Sequence, residues 1–196
     1  MSSKAKLAAL LKEIRACTAC ADDLPHAPRP VLRASRTARV CIVGQAPGTR
    51  VHESGIPFDD PSGERLRDWM GVDRETFYDE SRIAIVPMGF CFPGLDAKGG
   101  DKPPLKRCAE LWRTQLFEAM GEVDFTIIIG NYAQAWHLGK ARKKTLTETV
   151  AAWREYMPRA ITVPHPSWRN NTWLKKNPWF EKDVLPVLRA EVAKRV

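Results

Sequence analysis

The chain has 196 residues, with 31 lysines and arginines against 23 acidic residues and a formal charge of +8. That length allows one domain with a substantial core. No run of about 18 apolar residues offers a membrane helix, and the N-terminal "MSSKAKLAALLKEIRAC" lacks an apolar stretch with a small-residue cleavage site, so a cytoplasmic protein is expected. The basic surplus favours a polyanionic partner, nucleic acid first, although many basic proteins bind none.

In "KAKLAALLKEIRA", Leu7, Leu10, Leu11 and Ile14 recur at helical spacing, which predicts an amphipathic helix over residues 4–16. The proline-rich "LPHAPRPVLRAS" follows as extended loop. Four short apolar runs come next: "ARVCIV" (38–43), "RIAIVPM" (82–88), "FTIII" (125–129) and "AITV" (160–163). They are rich in β-branched residues and nearly continuous, as strands buried on both faces are. Helical patterns lie between them in "SGERLRDWMG", "CAELWRTQLFEAMG", "YAQAWHLG" and "TLTETVAAWREYM". The final "NPWFEKDVLPVLRAEVAKRV" reads as a closing helix with Asn177 as cap and Pro178 in its first turn. Alternation of strand and helix predicts an α/β fold: a three-layer α/β/α sandwich around a central four-stranded parallel sheet. One domain over 1–196 is expected, with the segment 1–37 packed on it. The charged "GKARKKT" (139–145) reads as a solvated loop or a phosphate contact.

Ligands of open parallel sheets bind beyond the carboxyl ends of the strands. Those ends lead into "GQAPGTRVHESGIPFDDPSG", "MGFCFPG", "GNYAQ" and "PHPSWRNN", all rich in Gly, Pro, small polar and aromatic residues. In the last, His165 can move a proton or donate a hydrogen bond, and Trp168 and Arg169 can stack on a base or wedge into a helix. The plainer readings are a satisfied loop histidine and a packed aromatic. Phe58 is a stacking platform or a packed loop residue. Asp59 and Asp60 are paired carboxylates for chemistry or caps for the helix that follows.

Five cysteines are present. Cys41 falls inside the first strand and reads as a core thiol. Cys17 and Cys20 form a C-x2-C, and Cys91 and Cys108 complete a set of four, which suggests a four-thiolate site for zinc or an iron–sulfur cluster. Free thiols and a redox pair are the alternatives.

The succession of "GQAPG", "PF", the spaced cysteines and "HPS" resembles the uracil-DNA glycosylase superfamily over nearly the whole chain, in particular its iron–sulfur branch. The resemblance implies a [4Fe–4S] cluster on Cys17, Cys20, Cys91 and Cys108. It implies that Gly44, Gln45 and Ala46 of the corner touch an extruded base, that Phe58 stacks on it, and that His165 hydrogen-bonds its carbonyl edge. Ser167, Trp168 and Arg169 would enter the minor groove, and basic residues such as Lys143, Lys175 and Lys176 would hold phosphates. Two departures stand out. Ala46 occupies the place of the water-activating aspartate of the "GQDPY" form, and Gln45 that of the glutamate usual in the iron–sulfur branch. Asp59, Asp60 or Glu53 is left to position water. Pro87 and Met88 stand where an asparagine often reads uracil, and Asn131 of "GNYAQ" is another amide at this edge.

The implied activity is hydrolysis of the base–deoxyribose bond of uracil, or a related deaminated base, in DNA by a monomeric, monofunctional enzyme of base excision repair. A member of the same fold that senses damage without cleaving, or traps the product, is a second reading. A small-molecule hydrolase or nucleotide-binding protein is a third, disfavoured because neither GxxxxGK[ST] nor GxSxG is present.

Overall fold

The computed structural model describes residues 3–196. Its four strands are β1 (Val40–Val43), β2 (Ile83–Ile85), β3 (Phe125–Ile129) and β4 (Ala160–Val163). They form one sheet in the order β2-β1-β3-β4, and every pairing is parallel. Val40 stands opposite Ile83 on one side and Phe125 on the other, and Thr126 stands opposite Ala160. The strand order reverses between β1 and β3, so the mouth of the sheet opens there.

Alternate residues of each strand enter two different cores. Val40, Ile42, Ile127 and Ile161 face one side, where Leu66 and Trp69 of α3 (Pro61–Met70) and Leu188 of α9 (Leu185–Ala193) cover them. Cys41, Val43, Ala84 and Ile128 face the other, where Leu7, Leu10, Leu11 and Ile14 of α1 (Ser3–Arg15) pack with Leu116 and Met120 of α5 (Lys106–Met120). Two buried faces explain why the strands lack polar alternation, and they make the three layers that the sequence predicts. Cys41 is a wholly buried thiol, pushed up to about 12 by desolvation.

The proline-rich stretch does more than connect. Arg33 exchanges both backbone hydrogen bonds with Ile85, at 2.9 and 2.8 Å, and Val31 N–H donates to Phe90 at 2.7 Å. This segment therefore covers the free edge of β2, which would otherwise expose unpaired backbone groups.

Several boundaries differ from expectation. The strand predicted over 82–88 ends at Ile85, although Val86 and Met88 N–H still donate to Ile42 and Gly44 on β1 and the corner after it. Short helices α2 (Thr49–Ser54), α4 (Arg74–Tyr78) and α8 (Asn171–Lys176) break what read as loops. Further helices are α6 (Gly130–Leu138) and α7 (Leu146–Ala151). The closing helix is not continuous from Asn177. Asn177 ends α8, its side chain donating to Trp173 O at 2.8 Å, and a π-type turn over Phe180–Val184 precedes α9. Pro186 explains the wide turn: its ring crowds the carbonyl four residues back, which favours a looser repeat.

One buried charge braces the layers. Arg113 of α5 is 1% exposed and donates to Val86 O at 3.2 Å and Pro87 O at 2.8 Å. It also donates to His137 Nε2 on α6. Desolvation first, and the guanidinium second, hold the imidazole down to about 3. The folded state thus binds fewer protons at His137 than the unfolded chain does between its ordinary value near 6.5 and about 3. Stability from this group is fully present above about pH 6.5 and declines as pH falls toward about 3. Urea unfolding between pH 7.5 and 4.5 should show that decline, and His137→Gln, which keeps an acceptor for Arg113 but cannot titrate, should flatten it. An identical slope in the variant would remove His137 as its source.

Candidate active site

Beyond the carboxyl ends of the strands lies a cleft of about 440 Å³. Its walls come from the corner after β1, the loop after β2 and the loop after β4. The "GQAPG" corner (44–48) and His165 therefore face the same space.

The corner is held as if it were still sheet. Met88 N–H donates to Gly44 O at 2.9 Å and Gly89 N–H to Gln45 O at 3.0 Å, prolonging the β1–β2 pairing past the end of both strands. The Gln45 side chain turns away from hydrolytic work, its amide donating to Lys102 O at 3.0 Å. Gly44, Gln45 and Ala46 all line the cleft.

Phe58 is the one described non-glycine residue at positive φ, +55°. That conformation costs an aromatic residue energy and persists only where surroundings impose it. Here the start of α3 imposes it. A Cβ at Gly63 would fall 1.8 Å from the Phe58 carbonyl oxygen, so α3 can approach this closely only with glycine there. The Phe58 ring stands edge-on to Phe77, centroids 6.2 Å apart. Its tip lies over Gly44, where an added Cβ would be 3.7 Å from Cζ. The ring and the corner form one wall.

His165 is half-buried, and its Nδ1 accepts the backbone N–H of Ser167 at 3.2 Å. A neutral imidazole accepting at Nδ1 carries its proton on Nε2. Desolvation, with a smaller push from Arg169, holds its pKa below the ordinary value, against the opposing pull of Asp60. The ring is therefore a neutral Nε2–H donor at pH 7. Asn170 locks the loop by donating to His165 O at 2.7 Å, and Arg65 donates to Ser167 O at 3.2 Å. At the rim, Trp168 is 71% exposed, with the Arg169 guanidinium 5.9 Å from its ring centre.

The two expected carboxylates part company. Asp60 lines the cleft and caps α3, accepting Gly63 N–H at 2.9 Å. Asp59 points elsewhere, paired with Arg74 at 2.9 Å, and does not line the cleft. Glu53 sits exposed on α2, also outside the lining.

Asn131 is likewise outside. β3 runs into α6 at Gly130 without a connecting loop, and the Asn131 side chain accepts from Arg142 at 3.4 Å. Lys143 is engaged with Glu155 at 2.5 Å, and Lys175 and Lys176 are exposed at the end of α8, beyond the cleft walls.

Sequence reading missed Asp101. It lies sixteen residues past Ile85, in a loop whose turn is built by Asp96, which accepts Lys98 and Gly100 N–H groups at 2.8 and 2.9 Å. A Cβ on Gly48 would be 3.6 Å from Asp101 Oδ2, so this carboxylate abuts the end of the corner. Its pKa is raised, chiefly by desolvation and also by Asp60 and Asp96, although the residue is open to the cleft. No hydrogen bond or ion pair to its carboxylate is formed among the described residues. "DAKGGD" carries the turn signal of Asp and paired glycines, but it stands well past the end of β2.

Cys17, Cys20, Cys91 and Cys108 line a second cavity, between the end of α1, the loop after β2 and the start of α5. Leu24, Pro28, Leu105 and Trp112 supply apolar walls. Desolvation raises Cys91 to about 11 and Cys108 to about 12, with neighbouring cysteines adding to the rise. Phe90 N–H donates to Cys108 Sγ at 3.3 Å. The buried Trp112 Nε1–H has no partner among the described residues. A donor without an acceptor beside four thiols suits a group that brings anionic sulfur. Among the described residues, no three His, Cys, Asp or Glu side chains close around a single-ion position.

A family model for the uracil DNA glycosylase superfamily matches residues 33–189. The chain belongs to that superfamily. Its activity is thus of the DNA-glycosylase type, and DNA is its partner. The match includes Cys91 and Cys108 and begins after Cys17 and Cys20. Similarity extends to the solved structure of wild-type SMUG2 from Pedobacter heparinus, at 17% identity and a TM-score of 0.38, covering 79% of this chain and 76% of that one. No described helix is long and apolar enough to cross a membrane.

Because Gly63 is what lets α3 impose the Phe58 conformation, Gly63→Ala should destabilise the fold by about 1–3 kcal/mol in urea unfolding. It should also weaken binding to uracil-containing DNA, since Phe58 must shift. A stability loss with unaltered DNA affinity would show that the ring is set by something other than α3.

Proposed function

We propose that the protein hydrolyses the N-glycosidic bond of uracil, or a related deaminated base, in DNA after flipping the nucleotide out. The observation that carries this reading is a neutral His165, its Nε2–H left free by the Ser167 hydrogen bond, in one cleft with the corner and Phe58. Breaking this bond leaves negative charge on the departing base and positive charge on the sugar. A preorganised donor aimed at the base stabilises the first. A carboxylate on the other side stabilises the second and orients water.

Asp101 is the residue we assign to that second task, with Asp60 beside it. Asp60 already spends one oxygen on Gly63, whereas Asp101 is unengaged among the described residues. This answers the absence of a carboxylate at Gln45 and Ala46. Gly44 and Ala46 shape the floor under the base, and Phe58 stacks on its face. Extrusion of a base costs a few kcal/mol, least at a mismatch or lesion. The exposed Trp168, with Arg169 at its flank, is placed to fill the vacated stack.

For the four-cysteine cavity we propose a [4Fe–4S] cluster, held by Cys17, Cys20, Cys91 and Cys108. Hydrolysis needs no electron, so its contribution when bound is a cross-link, tying the segment after α1 to the loop after β2 and to α5. Four thiols on one cavity and the unpartnered Trp112 N–H support this reading. Purified protein should contain iron and acid-labile sulfide in equal amounts, and Cys108→Ser should lose both. Zinc in their place would retain the four-thiolate site and overturn the cluster.

Base release from a uracil-containing oligonucleotide tests the activity. His165→Ala should lower kcat by about a hundred- to a thousandfold, or 2.7–4 kcal/mol, and Asp101→Asn by about a hundredfold. Activity should fall on the acid side, below the ordinary histidine value, where protonation sets an Nδ1–H against the Ser167 N–H. Tight binding with the base left intact would favour the damage-sensing reading, which Gln45 and Ala46 motivate. No release of uracil, hypoxanthine or xanthine and no preferential binding would overturn both.

A further inference from the structure

Five large apolar side chains are exposed among the described residues: Leu95, Leu111, Tyr132, Trp136 and Trp168. None is scattered. Leu95 and Trp168 line the catalytic cleft, Leu111 the cysteine cavity, and Tyr132 and Trp136 a third concavity of about 310 Å³. Exposed apolar surface gathered in this way marks binding surface. The third concavity is unassigned by the chemistry above.

Tyr132 and Trp136 stand one turn apart on α6, 43% and 45% exposed. Pro103 and Pro104 form the facing wall and Met88 contributes to the lining, with Lys106 and Glu110 at the start of α5. This groove shares no lining residue with the catalytic cleft, but a single short segment runs from one to the other. Asp101 lines the cleft, Lys102 O receives the Gln45 amide, and Pro103 and Pro104 line the groove. Gly89 ties the two from beneath: a Cβ there would be 3.1 Å from Pro104 and 3.6 Å from Ala46.

Cations border the groove: Lys106 lines it beside Glu110, Lys102 precedes the lining Pro103 in the chain, and Arg142 donates to Asn131 in the first turn of α6. Lys102, Lys106 and Lys140 form no ion pair among the described residues. The lining offers ring faces and prolines but few hydrogen-bonding groups. A peptide backbone would leave its amides unpaired there, whereas a nucleobase presents a π-face that stacks without sequence readout.

We propose that the groove of Tyr132, Trp136, Pro103 and Pro104 is a second base-binding site, which stacks an unpaired nucleotide of the substrate strand flanking the one in the cleft. It rests on the reading of the cleft as the DNA-binding edge. It makes the protein a reader of unpaired or locally melted DNA, because a nucleotide held in a duplex stack cannot enter the groove.

The test uses the full chain and fluorescence anisotropy with two uracil-containing oligonucleotides of the same sequence, one single-stranded and one in a blunt duplex. Trp136→Ala, at an exposed position that does not threaten folding, should weaken single-strand binding about tenfold and duplex binding much less. Scanning an abasic spacer through the flanking positions of the single strand should cost the wild type affinity at one position near the uracil. The same scan should cost the Trp136→Ala protein nothing, as expected for two partners of one contact. Equal losses on both oligonucleotides, no loss on either, or a spacer penalty that survives in the variant would overturn the inference. Base release is read separately. Should uracil prove not to be excised while the spacer penalty still vanishes with Trp136, the groove stands and the proposed reaction falls. Should excision proceed with Trp136 irrelevant to single strands, the reverse holds.

Discussion

The continuation of sheet pairing past the ends of β1 and β2 is the interaction on which the site depends. Val86, Met88 and Gly89 donate in turn to Ile42, Gly44 and Gln45, at 2.8, 2.9 and 3.0 Å. A Gly-Gln-Ala-Pro-Gly corner has little intrinsic preference for one shape, and two glycines make its ordering costly. The corner receives its shape from the backbone next door. That neighbour is in turn gripped from behind by Arg113, through the carbonyls of Val86 and Pro87. The catalytic edge is therefore as rigid as the stretch 86–91, and everything that holds this stretch contributes indirectly to the chemistry.

This gives the cysteine cavity a physical place in the enzyme, although it is lined by none of the residues of the cleft. Cys91 ends the stretch, Cys108 accepts the Phe90 N–H, and the carbonyl of Phe90 accepts Val31 from the segment that leads back to Cys17 and Cys20. A cluster bound there, as proposed above, would fasten one end of a short segment whose other end pairs with the corner. Removal of any one thiol should thus be felt first as mobility of the corner, not as the loss of a reacting group. The two unpartnered donors on consecutive residues, Trp112 Nε1 and Arg113 Nε, lie on the helix that joins these regions.

Strands were legible because burial on both faces leaves nearly continuous β-branched runs, and α1 was legible because Leu7, Leu10, Leu11 and Ile14 all reach the core. The corner, Phe58, Asp60, His165 and Trp168 were legible because each lies immediately past a strand or in the loop that follows it. Asn131 satisfied the same rule and is nonetheless outside, since β3 passes into α6 with no loop to swing it across. Asp59 and Asp60 are adjacent letters with opposite fates. Which of the two caps a helix and faces the cleft, and which pairs with Arg74, is decided by tertiary packing that local pattern does not encode. The positive φ of Phe58 was equally hidden: it comes from Gly63, whose place in a helical first turn gave no hint of a 1.8 Å conflict.

On the role proposed for Asp101, the reaction does not depend on a carboxylate at the corner. What the chemistry requires is negative charge near the sugar and a hydrogen-bond donor near the base, on opposite sides of one bond. It does not require that the charge come from the corner itself. Here the corner contributes an amide that fastens the loop, Gln45 to Lys102, and the loop contributes a carboxylate at the adjacent position, beside Gly48. Glutamine suits that fastening better than glutamate, because a carboxylate at position 45 would face the Lys102 carbonyl with acceptor against acceptor and would add a third negative charge near Asp60 and Asp101. The Gln45 amide and the Asp101 carboxylate thus belong to one local arrangement. The residue that cannot act as a base is the residue that holds the carboxylate's loop against the corner.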